Sequence, residues 1–442
     1  MKTYTETCKY GCAAEAFAAV ADLPFALFFD GMRAGDPRSR YSYICIDPVD
    51  TITAKNDGRA FEKLEEAIAK YNPNAKCDSS FPPFQGGAAG YFGYDLGRGL
   101  EKLPSTAKDD PNIPDMMVGI YDTVVAYDHA LKKCTIISHT GKKRVQRIMG
   151  LLEAAPKQTK NPNIELLWRA DCNEKDYLNK IERVKDYIAA GDIYQVNISR
   201  RFTAPLPENF NAYQHYSQLR TINAAPFSAF MNFGTIKISS SSPERFLHVN
   251  EGFVETRPIK GTASDALPAS SLLESEKERA ENLMIVDLMR NDIGKVSKTG
   301  SVKVPQLFGI ETYEGLHHLV SAVTGELKDD MSAAGVLKAC FPGGSITGAP
   351  KIRAMEIIEE LEPNRRGPYC GALGYIGFDG TMDTSIAIRT LVFRGNEVQL
   401  QTGGGITIES DSSYELEETL TKAKKLFESF VPARSVLKKA RL

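Results

Sequence analysis

The chain of 442 residues lacks any uninterrupted apolar run of about eighteen residues, which a membrane-spanning helix needs. The best candidate, residues 13–29, is broken by Glu15, Asp22 and Pro24. The first residues are also too polar for a secretory signal peptide. These absences predict a soluble cytoplasmic protein.

Neither sign of charge is in excess, because 54 basic side chains stand against 56 acidic ones. Binding to nucleic acid or to an anionic membrane calls for a basic surface, so this balance argues against both partners. Cysteine is also sparse. The eight cysteines are scattered, and no histidine lies near the close pair Cys8 and Cys12. We therefore expect free thiols, with neither a disulfide framework nor a zinc site.

Short strand patterns alternate with amphipathic helices along the chain. Asn173 is placed to cap one helix, and residues 194–199 alternate strictly between apolar and polar side chains, as a strand does. Further helices are predicted over residues 275–289, 350–361 and 413–430, and a continuous strand signal covers Thr384–Val392. Hairpin-like turns join many of the strand signals. The pattern predicts an α+β fold of mainly antiparallel sheets covered by helices.

Residues 154–163 are polar, contain two prolines and read as a linker. We therefore divide the chain into an N-terminal lobe, residues 1–155, and a larger domain, residues 164–436.

Two pairs of glutamates recur at a spacing of three residues on predicted helices, which puts each pair on one helix face. They are Glu278 with Glu281, and Glu415 with Glu418. Ser275 and Ser412 stand three residues before the first glutamate of each pair, in the capping-box pattern, so that glutamate has a structural explanation. The second glutamates have none, and carboxylates from two helices suit Mg²⁺. Simple solvation of these side chains is the alternative.

A glycine-rich stretch, residues 343–351, runs into a predicted helix with Pro350 at its first position. Free backbone N–H groups at such a start favour a carboxylate or phosphate. The stretch is not a P-loop, because Ala349 follows Gly348 where a lysine is needed. An ordinary helix entry is the alternative. Residues 401–405 form a similar run at the end of a strand.

Residues 255–262 contain a lysine whose direction is constrained. Pro258 fixes φ, and Gly261 permits a sharp turn directly after Lys260. A neutral and well-aimed lysine can act as a covalent nucleophile. The alternative is an exposed lysine in a turn.

Six stretches of the sequence, spread over residues 170–435, resemble motifs of the chorismate-utilising enzymes. This family includes the anthranilate, aminodeoxychorismate, isochorismate and salicylate synthases. The matching stretches are residues 193–200, 242–246, 258–262, 285–292, 348–351 and 366–371. The N-terminal region matches more weakly, mainly at residues 39–42. In the family that lobe completes a tryptophan pocket.

The resemblance implies a set of site residues. It implies Mg²⁺ on Glu281 and Glu418, with Glu278 and Glu415 assisting through water. It implies that Glu244 is the general acid for the departing hydroxyl group. His318 and Ser345 match positions near the substrate ring, and we assign His318 to the catalytic group. The other substrate-binding positions implied by the resemblance are Gln195, Tyr369, Arg389, Gly403, Gly404, Gly405 and Lys422.

Two of these positions separate the branches of the family. Enzymes that add water carry a lysine base where this chain has Gln195, so isochorismate or salicylate synthesis is disfavoured. Anthranilate synthases typically have alanine where this chain has Lys260, whereas aminodeoxychorismate synthases have lysine. The resemblance therefore favours the amination of chorismate through a lysine-bound intermediate, on the route to 4-aminobenzoate and folate. An anthranilate synthase, or a non-catalytic chorismate- or tryptophan-binding regulator, is the alternative.

The resemblance also implies a protein partner. Ammonia is drawn from glutamine in this family by a class I glutaminase with a Gly-x-Cys-x-Gly elbow. No such elbow occurs in the sequence, since Tyr369 precedes Cys370, and Ala339 precedes Cys340. We therefore expect a separate glutaminase subunit.

Overall fold

Twenty-two strands and ten α-helices lie within the residues that the computed structural model describes, namely 3–31, 36–71, 78–110, 112–153, 164–264, 268–313 and 316–430. In chain order the strands are β1 (Tyr4–Cys8), β2 (Ala26–Asp30), β3 (Tyr41–Cys45), β4 (Asp50–Ala54), β5 (Gly87–Phe92), β6 (Met116–Tyr121), β7 (Thr123–Asp128), β8 (Lys133–Ser138), β9 (Arg169–Ala170), β10 (Gln195–Pro205), β11 (Phe227–Asn232), β12 (Ile236–Ser242), β13 (Arg245–Asn250), β14 (Phe253–Thr256), β15 (Ile259–Ser264), β16 (Lys303–Tyr313), β17 (Leu316–Glu326), β18 (Gly348–Ala349), β19 (Ala372–Gly377), β20 (Met382–Ile386), β21 (Thr390–Arg394) and β22 (Glu397–Ile406). The helices are α1 (Ala13–Ala18), α2 (Ala60–Tyr71), α3 (Lys142–Leu152), α4 (Glu174–Ala189), α5 (Ala212–Ile222), α6 (Ser270–Glu274), α7 (Glu276–Val296), α8 (Ala333–Cys340), α9 (Lys351–Leu361) and α10 (Ser412–Glu428).

These strands pair, always antiparallel, into two large sheets. The first has the order β1–β8–β7–β3–β2–β11–β12–β21–β22–β10–β18, with β9 also on β10. The second has the order β15–β17–β14–β13–β20–β19–β5–β6–β4, with β16 also on β17. The predicted α+β class with antiparallel sheets is confirmed.

Strands from both ends of the chain enter each sheet. In the first sheet Ser228 of β11 pairs with Asp30 of β2, and in the second Gly374 of β19 pairs with Gly90 of β5. The predicted lobe, residues 1–155, therefore shares both sheets with the predicted domain, residues 164–436. The predicted linker lies outside the described residues, and the division stays a prediction about sequence regions.

The two sheets pack face to face, and the alternation of side chains along β3 shows how. Tyr43 and Cys45 point into a cluster that also contains Tyr91 and Met117 of the second sheet. Ile44 points the opposite way, into a cluster with the surrounding helices. A strand buried on both faces needs apolar residues at successive positions, so β3 is a core strand of a sandwich.

Helices cover the outer faces of the sandwich. Helices α1, α3, α5 and α10 contribute to the cluster outside the first sheet. Helices α2, α7 and α8 contribute to the cluster outside the second sheet. Helices α4 and α9 pack with β10 around a fourth cluster that includes Ile181, Ile357 and Val196. This last cluster holds β10 in place directly behind the candidate site.

Several local predictions are confirmed and others are wrong. The Asn173 side chain caps α4 by accepting from the Asp176 N–H. The predicted cap of α10 is wrong, because Asp411 caps this helix, accepting from the Tyr414 N–H, while the Ser412 hydroxyl donates to Glu182. Pro350 is the N-cap of α9 rather than its first helical residue.

The predicted strand over Thr384–Val392 is also wrong in its centre. Strand β20 belongs to the second sheet and β21 to the first, so the chain crosses between the sheets over residues 387–389. Arg389 takes a positive φ of 50° at this crossing. Strand propensity reports the apolar character of both strands but not the change of partner.

No helix within the described residues is long and apolar enough to cross a bilayer. The seven cysteines among these residues are free thiols, as predicted; Cys77 lies outside them.

A buried ion pair joins the end of α9 to its surroundings. Arg366 donates to both carboxylate oxygens of Glu362, at 3.0 and 2.7 Å, and to the carbonyl oxygens of Ile346 and Asn197, at 2.9 and 2.7 Å. Glu362 also accepts from the backbone N–H of Ser199 at 2.9 Å. One charged pair thus links α9, β10 and the glycine-rich stretch.

We expect Arg366→Met to lower the free energy of unfolding by about 3–5 kcal/mol, because it leaves the Glu362 charge buried without its partner. The side chains of the pair are only 1% and 3% exposed. Arg59→Met removes an exposed pair with Glu66, whose side chains are 68% and 64% exposed, and should cost less than about 1 kcal/mol. Chemical denaturation measures both. Equal losses would contradict the role given to Arg366.

Candidate active site

A cavity of about 230 Å³ opens between β10, β15, β22 and helices α7 and α10. Thirteen of the fifteen residues predicted for the site line it. They are Glu244, Lys260, Glu278, Glu281, His318, Ser345, Tyr369, Arg389, Gly403, Gly405, Glu415, Glu418 and Lys422. The roles assigned to them stay predictions, but residues from nine separate stretches of sequence meet at one place.

The remaining two predicted residues lie at the cavity wall. A Cβ on Gly405 would stand 2.0 Å from Nε2 of Gln195, so that side chain lies over the backbone of β22. Gln195 is buried, and its Oε1 has no hydrogen-bond partner among the described residues. A Cβ on Gly404 would stand 2.8 Å from Oε2 of both Glu415 and Glu418. Glycine at this position lets the two carboxylates rest against the sheet.

Glu244 is a buried carboxyl group between β12 and β13. Its Oε1 accepts a hydrogen bond from the Ser345 hydroxyl at 2.6 Å. Burial raises the pKa of Glu244 to about 7, although the Ser345 bond and the charges of Lys260 and Lys422 act in the opposite direction. The group is therefore protonated in a substantial fraction of molecules at neutral pH, as a general acid must be.

Lys260 is the second residue of β15, and the register of β15 against β17 shifts directly after it. Gly261 has a φ of +69°, which a residue with a Cβ adopts only with strain. The Lys260 Nζ would lie 3.1 Å from a Cβ on Gly405. Strand β15 continues through Gly261, so the sharp turn predicted after Lys260 is instead a bulge within the strand, and it directs this amine across the cavity toward β22.

The two predicted glutamate pairs stand in the first turns of α7 and α10. Burial and the neighbouring Glu281 raise the pKa of Glu278, and burial raises the pKa of Glu415. The Ser275 hydroxyl accepts from the Glu278 N–H, which is the serine half of a capping box, whereas Glu415 accepts from the Ser410 hydroxyl at 2.7 Å. The predicted serine cap is therefore confirmed for α7 and wrong for α10, and the capping role of the Glu278 carboxylate stays a prediction.

The donor set of these glutamates fits Mg²⁺. No group of three or more His, Cys, Asp or Glu side chains within the described part of the chain is arranged to hold an ion by itself. Mg²⁺ needs only one or two carboxylates and completes its shell with water and substrate oxygens. In the structure Lys422 donates to Oε2 of Glu418 at 2.8 Å, and Lys277 lies 4.0 Å from Glu281. These carboxylates therefore already attract positive charge.

The positions of three other polar side chains, those of His318, Arg389 and Tyr369, follow from the elements that carry them. His318 is buried on β17, in the residue before Leu319, the partner of Lys260. Arg389 reaches the cavity from the crossing between the sheets. The ring of Tyr369 lies 5.7 Å from the guanidinium of Arg366, so the buried ion pair supports this wall.

Sequence reasoning missed several lining residues. They include Asn197, Lys277 and Tyr414. Asn197 had a signal, since it lies on the polar face of the strand predicted over residues 194–199. Lys277 and Tyr414 are each one residue before a predicted glutamate, and nothing in a single sequence marks which side of a first helical turn faces a cavity.

Comparison with known proteins finds one matching family model and relatives that match over most of their length. A family model described as "chorismate binding enzyme" matches residues 26–428. Aminodeoxychorismate synthase component 1 of Escherichia coli (strain K12) is 39% identical over 431 residues, which cover 93% of this chain and 94% of that protein. Anthranilate synthase component 1 of Aquifex aeolicus is 36% identical and covers 92% and 89%. The crystal structure of anthranilate synthase component I from Streptococcus pneumoniae TIGR4 has a TM-score of 0.80 at 33% identity and covers 90% and 94%.

We expect Glu244→Gln to stabilise the protein in a pH-dependent way. The folded-state pKa of Glu244, about 7, lies above its ordinary value of 4.5, so the stability that its proton confers is complete below 4.5 and is lost as pH rises through 7. Glutamine does not ionise. The gain in unfolding free energy over the parent should therefore be about 2–3 kcal/mol larger at pH 8 than at pH 5.

Denaturation at the two pH values measures this gain, with Glu66→Gln, an exposed carboxylate, as the control. A gain of the same size at both pH values would show that Glu244 ionises normally.

Proposed function

The chain belongs to the chorismate-binding enzyme family, and on that premise we propose that it is component 1 of an aminodeoxychorismate synthase. Such an enzyme converts chorismate and ammonia to 4-amino-4-deoxychorismate. Relatives of that name match nearly the whole chain. The observation that carries the proposal is the meeting of Glu244, Lys260 and two glutamate pairs in one cavity. A binding protein needs neither an acid nor a nucleophile, so this set argues against a regulator.

Glu244 is proposed as the acid that releases the C4 hydroxyl group of chorismate. Hydroxide is a poor leaving group, and a proton from Glu244 lets it depart as water. The pKa of about 7 suits this step, because near neutral pH a large fraction of Glu244 is protonated and the group is still acidic enough to transfer its proton. The Ser345 hydroxyl holds the carboxyl group in place.

Lys260 is proposed as the nucleophile. Its neutral amine forms a bond to C2, both conjugated ring double bonds shift by one position, and the C4–oxygen bond breaks as Glu244 supplies the proton. Ammonia then forms a bond to C4, both double bonds shift back, and the bond between C2 and Lys260 breaks. The ammonia nitrogen loses a proton, which restores Glu244. The sum replaces a hydroxyl group by an amino group, forms one water and retains the pyruvyl arm.

Chorismate is a dianion, and the cavity offers it positive groups. Arg389 and Lys422, with Tyr369 and the backbone of residues 403–405, are proposed to hold its carboxylates. His318 is proposed to lie next to the ring. Charged hydrogen bonds of this kind fix the substrate as well as binding it, which places C2 within reach of the amine.

Glu281 and Glu418, backed by Glu278 and Glu415, would hold Mg²⁺. When bound, the ion neutralises the ring carboxylate and stabilises the charge that develops as the hydroxyl group departs. Gly404 leaves room for the carboxylates of α10 beside the sheet.

The ammonia is proposed to come from a separate glutaminase subunit. The name "component 1" of the relatives implies a second component. Burial raises the pKa of Cys340 and of Cys370 to about 12, so neither thiol is an activated nucleophile of the kind a glutaminase needs.

Anthranilate synthase component 1 is the second candidate, because relatives of that name match at 36–37% identity. That reaction eliminates pyruvate and gives an aromatic product. Lys260 favours the first candidate, since anthranilate synthases typically carry alanine there.

Product analysis tests the proposal. Chorismate, ammonium and Mg²⁺ should give a product that retains the pyruvyl arm by mass spectrometry, with no fluorescent aromatic product. Glutamine should replace ammonium only when a glutaminase subunit is added, and EDTA should stop the reaction. A fluorescent product with release of pyruvate would instead establish the anthranilate reaction.

At a fixed amount of ammonium, the ratio of the parent rate to the Glu244→Gln rate should fall as pH rises above about 7. The protonated fraction of Glu244 then falls about tenfold per pH unit, whereas the rise in free ammonia acts equally on both proteins. A ratio that stayed constant up to pH 9 would remove Glu244 from the acid role.

We expect Lys260→Ala to lower kcat by about a hundredfold or more while KM for chorismate stays within about threefold, because the nucleophile acts after binding. Lys298→Ala removes a lysine whose ion pairs are exposed, and is the control. Steady-state kinetics with ammonium measures both. Normal turnover by Lys260→Ala would refute the covalent route.

A further inference from the structure

Seven side chains form an unbroken series of ion pairs beside the cavity. In order along the series they are Asp383, Arg245, Glu255, Arg257, Glu311, Arg38 and Asp36. The charges alternate in sign throughout. None of the seven lines the cavity, so the series is separate from the groups proposed to touch the substrate.

Glu255 lies between Arg245 and Arg257 in this series. Its Oε1 lies 3.5 Å from Nη1 of Arg245, and its Oε2 lies 3.5 Å from Nη1 of Arg257. Outside this bridge, Arg245 pairs with Asp383 at 2.9 Å and Arg257 pairs with Glu311 at 2.6 Å. Each arginine is thus fixed on its far side and joined to the other through one carboxylate.

The two arginines belong to the segments that carry the proposed acid and nucleophile. Glu244 is the residue directly before Arg245. Lys260 follows Arg257 by three residues, and the stiff Pro258 stands between them. Movement of either arginine backbone is therefore transmitted to a reacting group.

The ladder between β13 and β14 does not join these two segments directly. It ends at the pair His248–Glu255, and each segment is held instead by its other neighbour, since Arg245 pairs with Ser385 of β20 and Lys260 pairs with Leu319 of β17. Beyond the end of that ladder, the Glu255 carboxylate links Arg245 of β13 directly to Arg257.

The ion pairs that Glu255 makes with Arg245 and Arg257 are partly shielded from solvent. The side chains of Arg245, Arg257 and Glu255 are 11%, 19% and 27% exposed, so salt screens them less than a surface pair. Without the Glu255 charge, the two guanidinium groups would keep Asp383 and Glu311 on their far sides but would face each other with no anion between them. Their repulsion would push the two segments apart.

We propose that Glu255 is a positioning residue that sets the separation of Glu244 and Lys260 through Arg245 and Arg257. The reaction in which this separation counts is the proposed amination of chorismate. A displacement of about 1 Å at a reacting centre can cost about a hundredfold in rate, so the loss of the bridge acts on kcat rather than on substrate binding.

Glu255→Gln tests the proposal, and Asp47→Asn is a matched control. Asp47 also bridges two arginines, Arg144 and Arg147, and its side chain is 28% exposed. Like Glu255 it does not line the cavity, but its two arginines lie on α3 and not on the segments that carry Glu244 and Lys260. We expect Glu255→Gln to lower kcat about tenfold or more, with KM for chorismate within about twofold and the same Tm as Asp47→Asn. The control should keep the parent kcat.

The pH profile gives a reading that a merely structural role would not move. Lys260 lies near enough to Glu244 to lower the pKa of that carboxyl group. If the two separate, the loss of rate that follows Glu244 ionisation, measured at constant free ammonia, should shift to higher pH in Glu255→Gln. Arg257→Met, which breaks the bridge from its other end, should show the same shift.

Three outcomes would overturn the proposal: a kcat for Glu255→Gln within twofold of the parent, an unmoved pH profile, or a loss of activity that only follows a lower Tm than the control's. Failure of the proposed function is a separate result, because the variant-to-parent ratio can be read on whichever chorismate product forms. If none forms, labelling of Lys260 by an amine reagent, followed by mass spectrometry, decides. An unchanged labelling rate in Glu255→Gln would then overturn the bridge.

Discussion

The buried pair of Arg366 and Glu362 is the interaction on which the site most depends. A guanidinium group inside a protein must use its donors, and the remaining donors of Arg366 end on the backbone of the glycine-rich stretch and of β10. Glu362 is bound in the same way to the backbone of Ser199. The charges therefore cannot be satisfied unless α9, β10 and the glycine-rich stretch are assembled together. The same guanidinium group supports Tyr369 at the cavity wall.

In the cavity, by contrast, the buried carboxyl group has no bound guanidinium partner. Glu244 is buried beside a hydroxyl group instead of a bound guanidinium group, and its pKa rises to about 7 as a result. Two buried glutamates in one molecule thus serve different purposes, because one has a full ionic partner and the other does not. Paired charges hold the elements around the site together, and incompletely paired ones with shifted pKa values are the candidates for its reactivity.

Sequence patterns predicted the local features well, because those features depend on neighbouring residues. The helix after Asn173 follows from capping, and the positive φ of Gly261 after Lys260 follows from the backbone freedom of glycine. The crossing of the chain between the sheets at residues 387–389 was not predictable in this way, since it depends on which distant strands are free to pair. The cap of α10 was missed for a smaller reason. Asp411 and Ser412 are both good caps, and a contact with Glu182 on α4 decides between them. The convergence of the site residues came from the family motifs, not from periodicity.

The fold does not by itself decide which reaction takes place. Relatives named for two different reactions match this chain over similar lengths and at similar identity. Their shared cavity would bind the same dianion and supply the same acid, so the difference must arise from the few groups that can contact C2 and C4. Lys260 is proposed to be such a group, and in that role it needs the correct distance from Glu244. The ion pairs around Glu255 lie outside the cavity, where substitutions leave the substrate contacts intact. Selection for one chemistry can therefore act on the surroundings of the nucleophile as well as on the nucleophile itself.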